Sequence, residues 1–342
     1  NRSNYLSFNL FYGLNGGVQG FELGAMVNSN TGNVFGAQVG GIANINAGTV
    51  HGFTVAGITN ICKDSSGAVA VAGISNVSGG SSYGAQVAGI SNTVAGSFQG
   101  AQVSGIANVS TDSTRGIQVA GISNVSNGNF IGAQIAGISN LNKGDLLGTQ
   151  IGLVNTTAGE VQGSQIGLIN IAKSYKNGVP IGLLNIIADG YHALELVGGE
   201  SVYANMNLKL GVDRLYTIYK VGFFTNGSNQ YLSAGLGFGT KVDLTQKLKL
   251  SFDFSGNSLM EQTFSPKVNI LGKTDISLRY EIGKWLDLFI GPSFNVYVAE
   301  HQVDVEDTML KVPYSLYTYN WGNGEGSTSF WIGGNAGLSF RF

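Results

Sequence analysis

The chain has 342 residues, of which only 11% are charged, and its formal net charge is −2. An average soluble globular protein has about 25% charged residues, so this composition indicates little surface facing bulk water. No apolar run approaches the ~20 residues of a membrane-spanning helix, which excludes a helical membrane protein. The near-neutral charge, without a basic cluster, argues against nucleic acid as a partner.

The start of the chain and its rare residues add little chemistry. The chain opens at Asn1 without an initiator Met or a leader, so we infer that a secretory signal peptide has been removed. The lone Cys62 cannot form an internal disulfide, and the three histidines are scattered rather than spaced as metal ligands. We therefore expect no cofactor and no metal.

Residues 20–187 are built from copies of a motif, GxQ[VI]xGxxN. The Asn that closes each copy recurs every 16 residues from Asn28 to Asn140, and then every 15 residues as far as Asn185. Such regularity indicates a repeat architecture. Two repeat architectures fit this spacing. One is a parallel β-solenoid, in which each copy is one coil and the asparagines stack. The other is an antiparallel meander, in which each copy is one strand and one tight turn.

The segments between copies favour the meander. In 46–49, 142–145 and 157–160 a polar or small residue leads to a Gly before the apolar pattern resumes. A Gly that adopts positive φ at that place is typical of a short hairpin. Removing a turn of about four residues leaves strands of about 11 or 12, close to the 9 to 11 residues of a transmembrane β-strand. We therefore expect neighbouring copies to pair antiparallel.

In such a barrel, the two faces of each strand would differ. The copy at 131–141 places Ile131, Ala133 and Ile135 on one side and Gln134 and Asn140 on the other. The first side would face lipid, and the amide side would face the lumen. The predicted lumen lining is Gln38, Gln86, Gln102, Gln118, Gln134, Gln150 and Gln165.

From residue 188 to residue 342 the repeat stops and ordinary barrel strands are predicted. Apolar and polar residues alternate, as an antiparallel membrane barrel requires. Leu248, Leu250, Phe252 and Phe254 alternate with Lys247, Lys249, Ser251, Asp253 and Ser255. The same pattern recurs at 204–210 and 286–298.

The last eight residues carry a more specific pattern. Asn335, Gly337, Phe340 and Phe342 stand at the positions of a polar residue, a Gly, an apolar residue and a terminal aromatic residue. This pattern resembles the closing-strand signal by which the insertion machinery recognises bacterial outer-membrane barrels. The resemblance implies integral location in the bacterial outer membrane, with outer-membrane lipid and the insertion machinery as partners.

The repeats, together with the segment from Gly178 to Gly211, resemble the surface-repeat outer-membrane proteins of Gram-negative bacteria. The resemblance covers about residues 20 to 342. It implies a location and an architecture, but no catalytic residues. Thr54, Ala70 and Pro180 depart from the motif at the Gln position, so that Gln is not indispensable.

No grouping of residues predicts catalysis. A Ser nucleophile requires a His base and an orienting acid within reach. His51 has no acid beside it, and His192 and His301 have acids near them only along the sequence. The acidic segment 301–307 could hold Ca²⁺, but a solvated loop is the simpler interpretation. We expect no enzymatic activity.

The sequence therefore predicts an all-β chain in one domain, residues 1–342. The favoured architecture is a closed antiparallel up-and-down transmembrane β-barrel of roughly 20 strands. The alternative is an N-terminal β-solenoid of 15/16-residue coils joined to a smaller C-terminal barrel. The expected function is a structural or accessory subunit of an envelope complex, with another envelope protein as partner. The alternatives are a passive diffusion pore for small polar solutes and a repeat-based surface adhesin.

Overall fold

The structure is a computed structural model that describes residues 3–227, 229–261, 268–300, 309–322 and 325–342. The elements that it describes are the strands β1 to β31. Within these residues, no helix is long and apolar enough to cross a membrane. Contacts divide the chain into two units, Asn1–Leu183 and Leu184–Phe342.

The first unit is a β-solenoid in which most coils contribute one longer and one shorter strand. The longer strands are β1 (Asn4–Asn9), β3 (Val18–Gly24), β5 (Val34–Gly40), β7 (Val50–Ala56), β9 (Ser66–Ala72), β11 (Ser82–Ala88), β13 (Phe98–Ser104), β15 (Thr114–Ala120), β17 (Phe130–Ala136) and β19 (Leu146–Ile151). The shorter strands are β2 (Tyr12–Asn15), β4 (Val27–Asn30), β6 (Ala43–Asn46), β8 (Thr59–Cys62), β10 (Ser75–Ser78), β12 (Ser91–Val94), β14 (Ala107–Ser110), β16 (Ser123–Ser126) and β18 (Ser139–Asn142). The last two strands, β20 (Val154–Ile166) and β21 (Ile169–Ile181), each continue through the turn and combine both parts.

Successive coils pair in parallel, so that equivalent residues lie side by side. Gln102 of β13 pairs with Gln118 of β15, and Asn108 of β14 pairs with Asn124 of β16. Each coil therefore uses the coils before and after it for its backbone hydrogen bonds, and the period of 16 or 15 residues is one coil circumference. The predicted antiparallel barrel of roughly 20 strands is wrong, and the alternative of a solenoid with a smaller C-terminal barrel is the architecture found.

The glycines that suggested hairpins have a different role. Gly144, in the turn after β18, does not adopt positive φ. A Cβ atom there would lie 2.6 Å from the backbone nitrogen of Asn129 in the preceding coil. At the opposite corner, a Cβ on Gly121 would lie 2.1 Å from the carbonyl oxygen of Gly105. These glycines are required because the backbones of stacked coils approach closely, and a stacked parallel turn needs Gly as much as a hairpin does.

The second unit contains an antiparallel barrel. Its strands are β22 (Leu184–Ile187), β23 (Tyr191–Gly199), β24 (Ala204–Val212), β25 (Leu215–Asn226), β26 (Asn229–Asp243), β27 (Leu248–Glu261), β28 (Asn269–Glu281), β29 (Leu286–Glu300), β30 (Tyr317–Trp321) and β31 (Gly326–Arg341). β31 pairs with β29 on one side and with β23 on the other, which closes a barrel of eight strands, β23 to β29 and β31. β30 adds a short antiparallel pairing to β31.

The alternation predicted for the C-terminal part is present in this barrel. On β27, Ser251, Asp253 and Ser255 are buried, whereas Phe254 is exposed. An eight-stranded barrel encloses an interior just wide enough for side chains to fill. The polar residues of each strand therefore meet across the interior, while the apolar residues form the outer wall.

Disulfide cross-linking tests the parallel register of the solenoid. Ala85 and Ala101 are paired neighbours, so the double variant Ala85→Cys/Ala101→Cys, with Cys62 changed to Ser, should oxidise to an intramolecular disulfide that mass spectrometry detects. Paired residues on neighbouring strands lie ~4.8 Å apart, within the usual Cα separation of a disulfide. The control Ala85→Cys/Ala133→Cys, three coils apart, should remain reduced. Efficient cross-linking in the control, or none in the first variant, would contradict the register.

Candidate functional site

The seven glutamines predicted to line a lumen lie inside the solenoid. All seven are buried. From Gln86 onward they form a ladder, in which Nε2 of each Gln donates to Oε1 of the Gln in the preceding coil. The distances are 2.8 Å for Gln102 to Gln86, 2.8 Å for Gln118 to Gln102, 2.9 Å for Gln134 to Gln118, 2.7 Å for Gln150 to Gln134 and 2.7 Å for Gln165 to Gln150. These side chains hold coils together, and the lumen-lining prediction is corrected to a structural role.

A second ladder is formed by the asparagines that close each repeat. Nδ2 of Asn108 donates to Oδ1 of Asn124 at 3.0 Å and also to the carbonyl oxygen of Val119 at 2.8 Å. Equivalent bonds join successive asparagines from Asn28 to Asn170. The donors point towards the C-terminus here, but towards the N-terminus in the Gln ladder. Both protons of each Nδ2 group thus have acceptors, as a buried amide requires.

Glu22 is the interior residue that sequence reasoning missed. It occupies the ladder position in its coil, where each later copy has Gln, Thr, Ala or Pro. Its buried carboxylate accepts four amide hydrogen bonds. Among the described residues, no ion pair to this carboxylate is present. The donors are Asn9 at 3.0 Å and Asn15 at 2.6 Å on Oε1, and Asn30 at 2.8 Å and Gln38 at 2.7 Å on Oε2. The departure from Gln in the motif was the available signal.

The middle of the barrel holds two cations and two anions in an alternating ring. Nζ of Lys209 lies 3.0 Å from Oε2 of Glu195 and 2.6 Å from Oδ2 of Asp253. Nη1 of Arg279 lies 2.7 Å from Oε1 of Glu195, and its Nη2 lies 3.7 Å from Oδ2 of Asp253. The hydroxyl of Tyr216 donates to Asp253 at 2.5 Å. The four charges cancel, so burial leaves no net charge uncompensated in this ring.

Other side chains fill the interior on both sides of this ring. Lys220 lies 3.7 Å from Asp275 and donates to Ser255 at 3.1 Å. At one end of the barrel, a cluster of apolar and aromatic side chains packs together. Its buried members are Val202, Phe224, Tyr231, Leu259, Leu271, Tyr297, Ala299, Leu310 and Trp331. The described interior is therefore packed with side chains.

Glu200, in the loop after β23, attaches that loop to the barrel. It accepts hydrogen bonds from Nε1 of Trp331 at 3.1 Å, from the backbone nitrogen of Gly334 at 3.0 Å and from Nδ2 of Asn295 at 3.1 Å. Burial by itself raises the pKa of Glu200, but the nearby charge of Lys273 and these donors outweigh it and hold the pKa below its ordinary value. The ionised carboxylate thus fixes the loop over one end of the interior.

The closing-strand residues lie at the end of the barrel seam. Asn335 is buried on β31, where it accepts a hydrogen bond from Ser277 at 2.7 Å. Phe340 is half-buried and stacks on Trp285, with ring centroids 6.3 Å apart. Phe342 is exposed and stacks on His192 at 5.8 Å. Gly337 pairs with Val197 of β23. Asn335, Gly337 and Phe340 thus belong to the strand that closes the barrel and Phe342 directly follows it, and their role as an insertion signal stays a prediction.

The histidines do not form a catalytic grouping in the described part of the chain. His51 lies on the solenoid surface, where it stacks on Phe35 and its Nδ1 lies 3.0 Å from the hydroxyl of Tyr83. His192 and Glu195 lie on opposite faces of β23, since Glu195 is buried in the interior. His301 and the segment 301–307 lie outside the described residues.

Two further observations concern metals and the thiol. Among the described residues, no group of three or more His, Cys, Asp or Glu side chains could hold a metal ion. Cys62 is buried in the solenoid. Burial raises the pKa of its thiol, so Cys62 is protonated and unreactive at neutral pH.

Comparisons of the chain with protein-family models, with curated proteins and with solved structures give no match. The functional interpretation therefore depends on the site geometry.

The Gln ladder can be tested by replacing one rung. Gln134→Leu leaves Oε1 of Gln118 without its ladder donor and Nε2 of Gln150 without its ladder acceptor. Because an unsatisfied buried polar group costs about 1–3 kcal/mol, we expect a clear fall in the denaturant midpoint of the circular dichroism signal. The matched control is Gln99→Leu. Gln99 is exposed on β13, so this variant should leave the midpoint nearly unchanged. Equal midpoints for both variants would contradict the ladder.

The charge ring predicts that losing one member is severe. Arg279→Met leaves Glu195 and Asp253 with only Lys209 as a partner in the ring. Removing one partner of a buried ion pair costs about 3–5 kcal/mol, so the temperature at which the β-sheet signal is lost should fall markedly. Arg279→Lys should recover part of the loss, and Lys247→Met at an exposed position should have little effect. A stable Arg279→Met variant would show that the ring is dispensable.

Proposed function

We propose that this chain is an integral outer-membrane protein in which the eight-stranded barrel is a sealed membrane anchor and the solenoid is a non-catalytic scaffold of an envelope complex. The observation that carries the proposal is the polarity of the barrel. Its interior contains ion pairs and amides, and its outer surface is apolar. In water, a barrel with apolar side chains inside and polar side chains outside would be more stable, because burial of apolar surface is the main favourable contribution to folding.

The outer wall of the barrel supports contact with lipid. On β26, Leu236 is 49% exposed and Phe238 is 57% exposed. On β29, Ile290 is 67% exposed. The barrel strands run from nine residues in β23 to 16 in β31. Transmembrane β-strands need about 9 to 11 tilted residues, so the strands are long enough to cross a bilayer. Closure of the barrel supports the same conclusion, because lipid-exposed sheet edges do not occur in the hydrocarbon region.

The closing strand supports a bacterial outer-membrane location. Asn335, Gly337, Phe340 and Phe342 match the insertion signal and stand on or directly after the strand that closes the barrel. The barrel insertion machinery is therefore a proposed partner during biogenesis. The resemblance to surface-repeat outer-membrane proteins of Gram-negative bacteria points to the same location.

The interior of the barrel argues for a scaffold over the alternative of a diffusion pore. A pore needs a continuous aqueous path, whereas here the charge ring around Arg279 and the aromatic cluster around Trp331 occupy the interior. The solenoid interior is likewise filled, by the Gln and Asn ladders and by buried apolar side chains such as Val34, Phe130 and Leu146. Amides do not ionise near neutral pH and offer no general acid or base, which supports the non-catalytic proposal.

Electrophoresis and conductance together test this function. Folded, unboiled protein in detergent should migrate faster than boiled protein, because a closed transmembrane barrel resists unfolding by the detergent. Reconstituted in planar bilayers, the same preparation should produce no steady conductance, since its interior is filled. Stepwise channel openings would favour the pore instead. The absence of a heat-modifiable band, together with failure to incorporate into vesicles, would rule out the membrane anchor.

A further inference from the structure

The corner between the longer and the shorter strand of each coil is apolar on its outside. Three outward positions produce this: the residue after the ladder Gln, the residue after the corner Gly and the residue after the ladder Asn. In one coil these are Val103, Ile106 and Val109. Stacking of the coils turns each position into a row along the solenoid, and the three rows together are called the apolar edge.

The first two rows are apolar without interruption over eleven copies of the repeat. The first row, from Leu23 to Ile181, contains only Val, Ile and Leu, and the second, from Met26 to Leu183, contains only Met, Ile and Leu. The third row admits Ser or Thr at three positions but no charge. At ~4.8 Å per coil the edge extends for about 50 Å. Contiguous apolar patches of this extent mark interaction sites for proteins or membranes.

Many side chains of the apolar edge are among the exposed apolar residues of the chain. Val103 is 42% exposed, Ile106 43% and Ile138 50%. They point outwards because the inward positions of the same coils are taken by Gln102, Asn108 and their equivalents, which must pair with one another. The solenoid interior thus combines the amide ladders with buried apolar side chains such as Val34, Phe130 and Leu146, while the apolar edge faces outwards.

The three rows of the apolar edge contain no charged residue, whereas turns at the other corner of several coils do. Three of the turns after shorter strands are charged, with Lys63 and Asp64 after β8, Asp112 after β14, and Lys143 and Asp145 after β18. Asp112 is fully in solvent, and hydrogen bonds from the backbone of Ser113 and the hydroxyl of Ser97 lower its pKa, so it is ionised at neutral pH. In these coils a charged turn and the apolar edge lie at opposite corners, the pattern of an element lying in a membrane interface.

The chemistry of the apolar edge favours lipid over protein. The energetic centres of protein interfaces are enriched in Tyr, Trp and Arg and are surrounded by polar groups that fix the register. The first two rows contain none of these residues, and their near-identical members repeat at every coil, so they offer no unique register to a partner. Fluid acyl chains need no register, and a uniform aliphatic row suits them.

We infer that the apolar edge of the solenoid lies in the acyl-chain region of a lipid bilayer, with the charged turns in water. The inference rests on the proposed function, which supplies the bilayer. The solenoid then contributes to membrane attachment along its length, in addition to the barrel.

Spin labels on the full-length protein test this placement. Ile106→Cys lies on the apolar edge, Thr111→Cys lies in the turn of the same coil, and Phe238→Cys lies on the outer wall of the barrel, each with Cys62→Ser. The labelled proteins are reconstituted in vesicles of phosphatidylethanolamine and phosphatidylglycerol. Power saturation then compares collisions with oxygen, which concentrates in acyl chains, with collisions with an aqueous nickel chelate. Ile122→Cys, in the next coil, repeats the measurement if the first variant folds poorly.

We expect the labels at 106, 122 and 238 to collide mainly with oxygen and the label at 111 mainly with nickel. If 238 is in lipid but 106 and 122 are open to nickel, the inference fails while the membrane anchor stands. If 106 and 122 are shielded from both reagents, protein covers the edge, and lipid is the wrong occupant. If 238 is also open to nickel, the proposed function itself fails.

Discussion

The structure depends on one constraint: a buried amide must have hydrogen-bond partners. In the solenoid, an identical amide in the neighbouring coil lies one strand spacing away and supplies them. The constraint demands that Gln118 stand beside Gln102 and Asn124 beside Asn108, so the motif must return at a constant spacing. It also explains where the period can shorten. The copies of 15 residues lose the residue before the corner Gly, outside both ladders, and the ladders continue from Asn140 to Asn155 at 2.9 Å and from Gln150 to Gln165 at 2.7 Å.

The barrel solves the same problem with different chemistry. Antiparallel strands in a closed barrel bring non-equivalent residues together across the interior, so identical side chains cannot stack. Complementary charges take their place. Glu195 on β23 forms ion pairs with Lys209 on β24 and with Arg279 on β28. In both units, polar groups that satisfy each other share the interior with apolar clusters, and many apolar side chains lie on the outside. The apolar surfaces of the barrel and of the solenoid accompany this interior pairing, and both are arguments for the proposed membrane environment.

Several features could be predicted from the sequence because they follow from local pattern. The all-β class, the coil period and the ordered alternation at residues 247–255 depend only on which residue types recur at which spacing. The solenoid was recognised as an alternative because a regular Asn spacing suits a stacked ladder. Glu22 was missed, although its departure from Gln was a signal in the sequence. Its four amide partners could not be predicted, because Asn9, Asn15, Asn30 and Gln38 come from different strands and meet only in the folded coil stack.

The direction of strand pairing was decided by the tertiary structure alone. A Gly in a turn such as that at Gly144 suits a hairpin by its conformational freedom and a stacked coil by its lack of a Cβ atom, and the sequence is the same in both cases. With the wrong direction, Gln134 was assigned to the lumen of a barrel, whereas parallel stacking buries it between Gln118 and Gln150. The sequence by itself determined what repeats and which side chains are polar. Which of those side chains meet is a non-local property, set by backbone pairing between coils, and only the three-dimensional fold decided it.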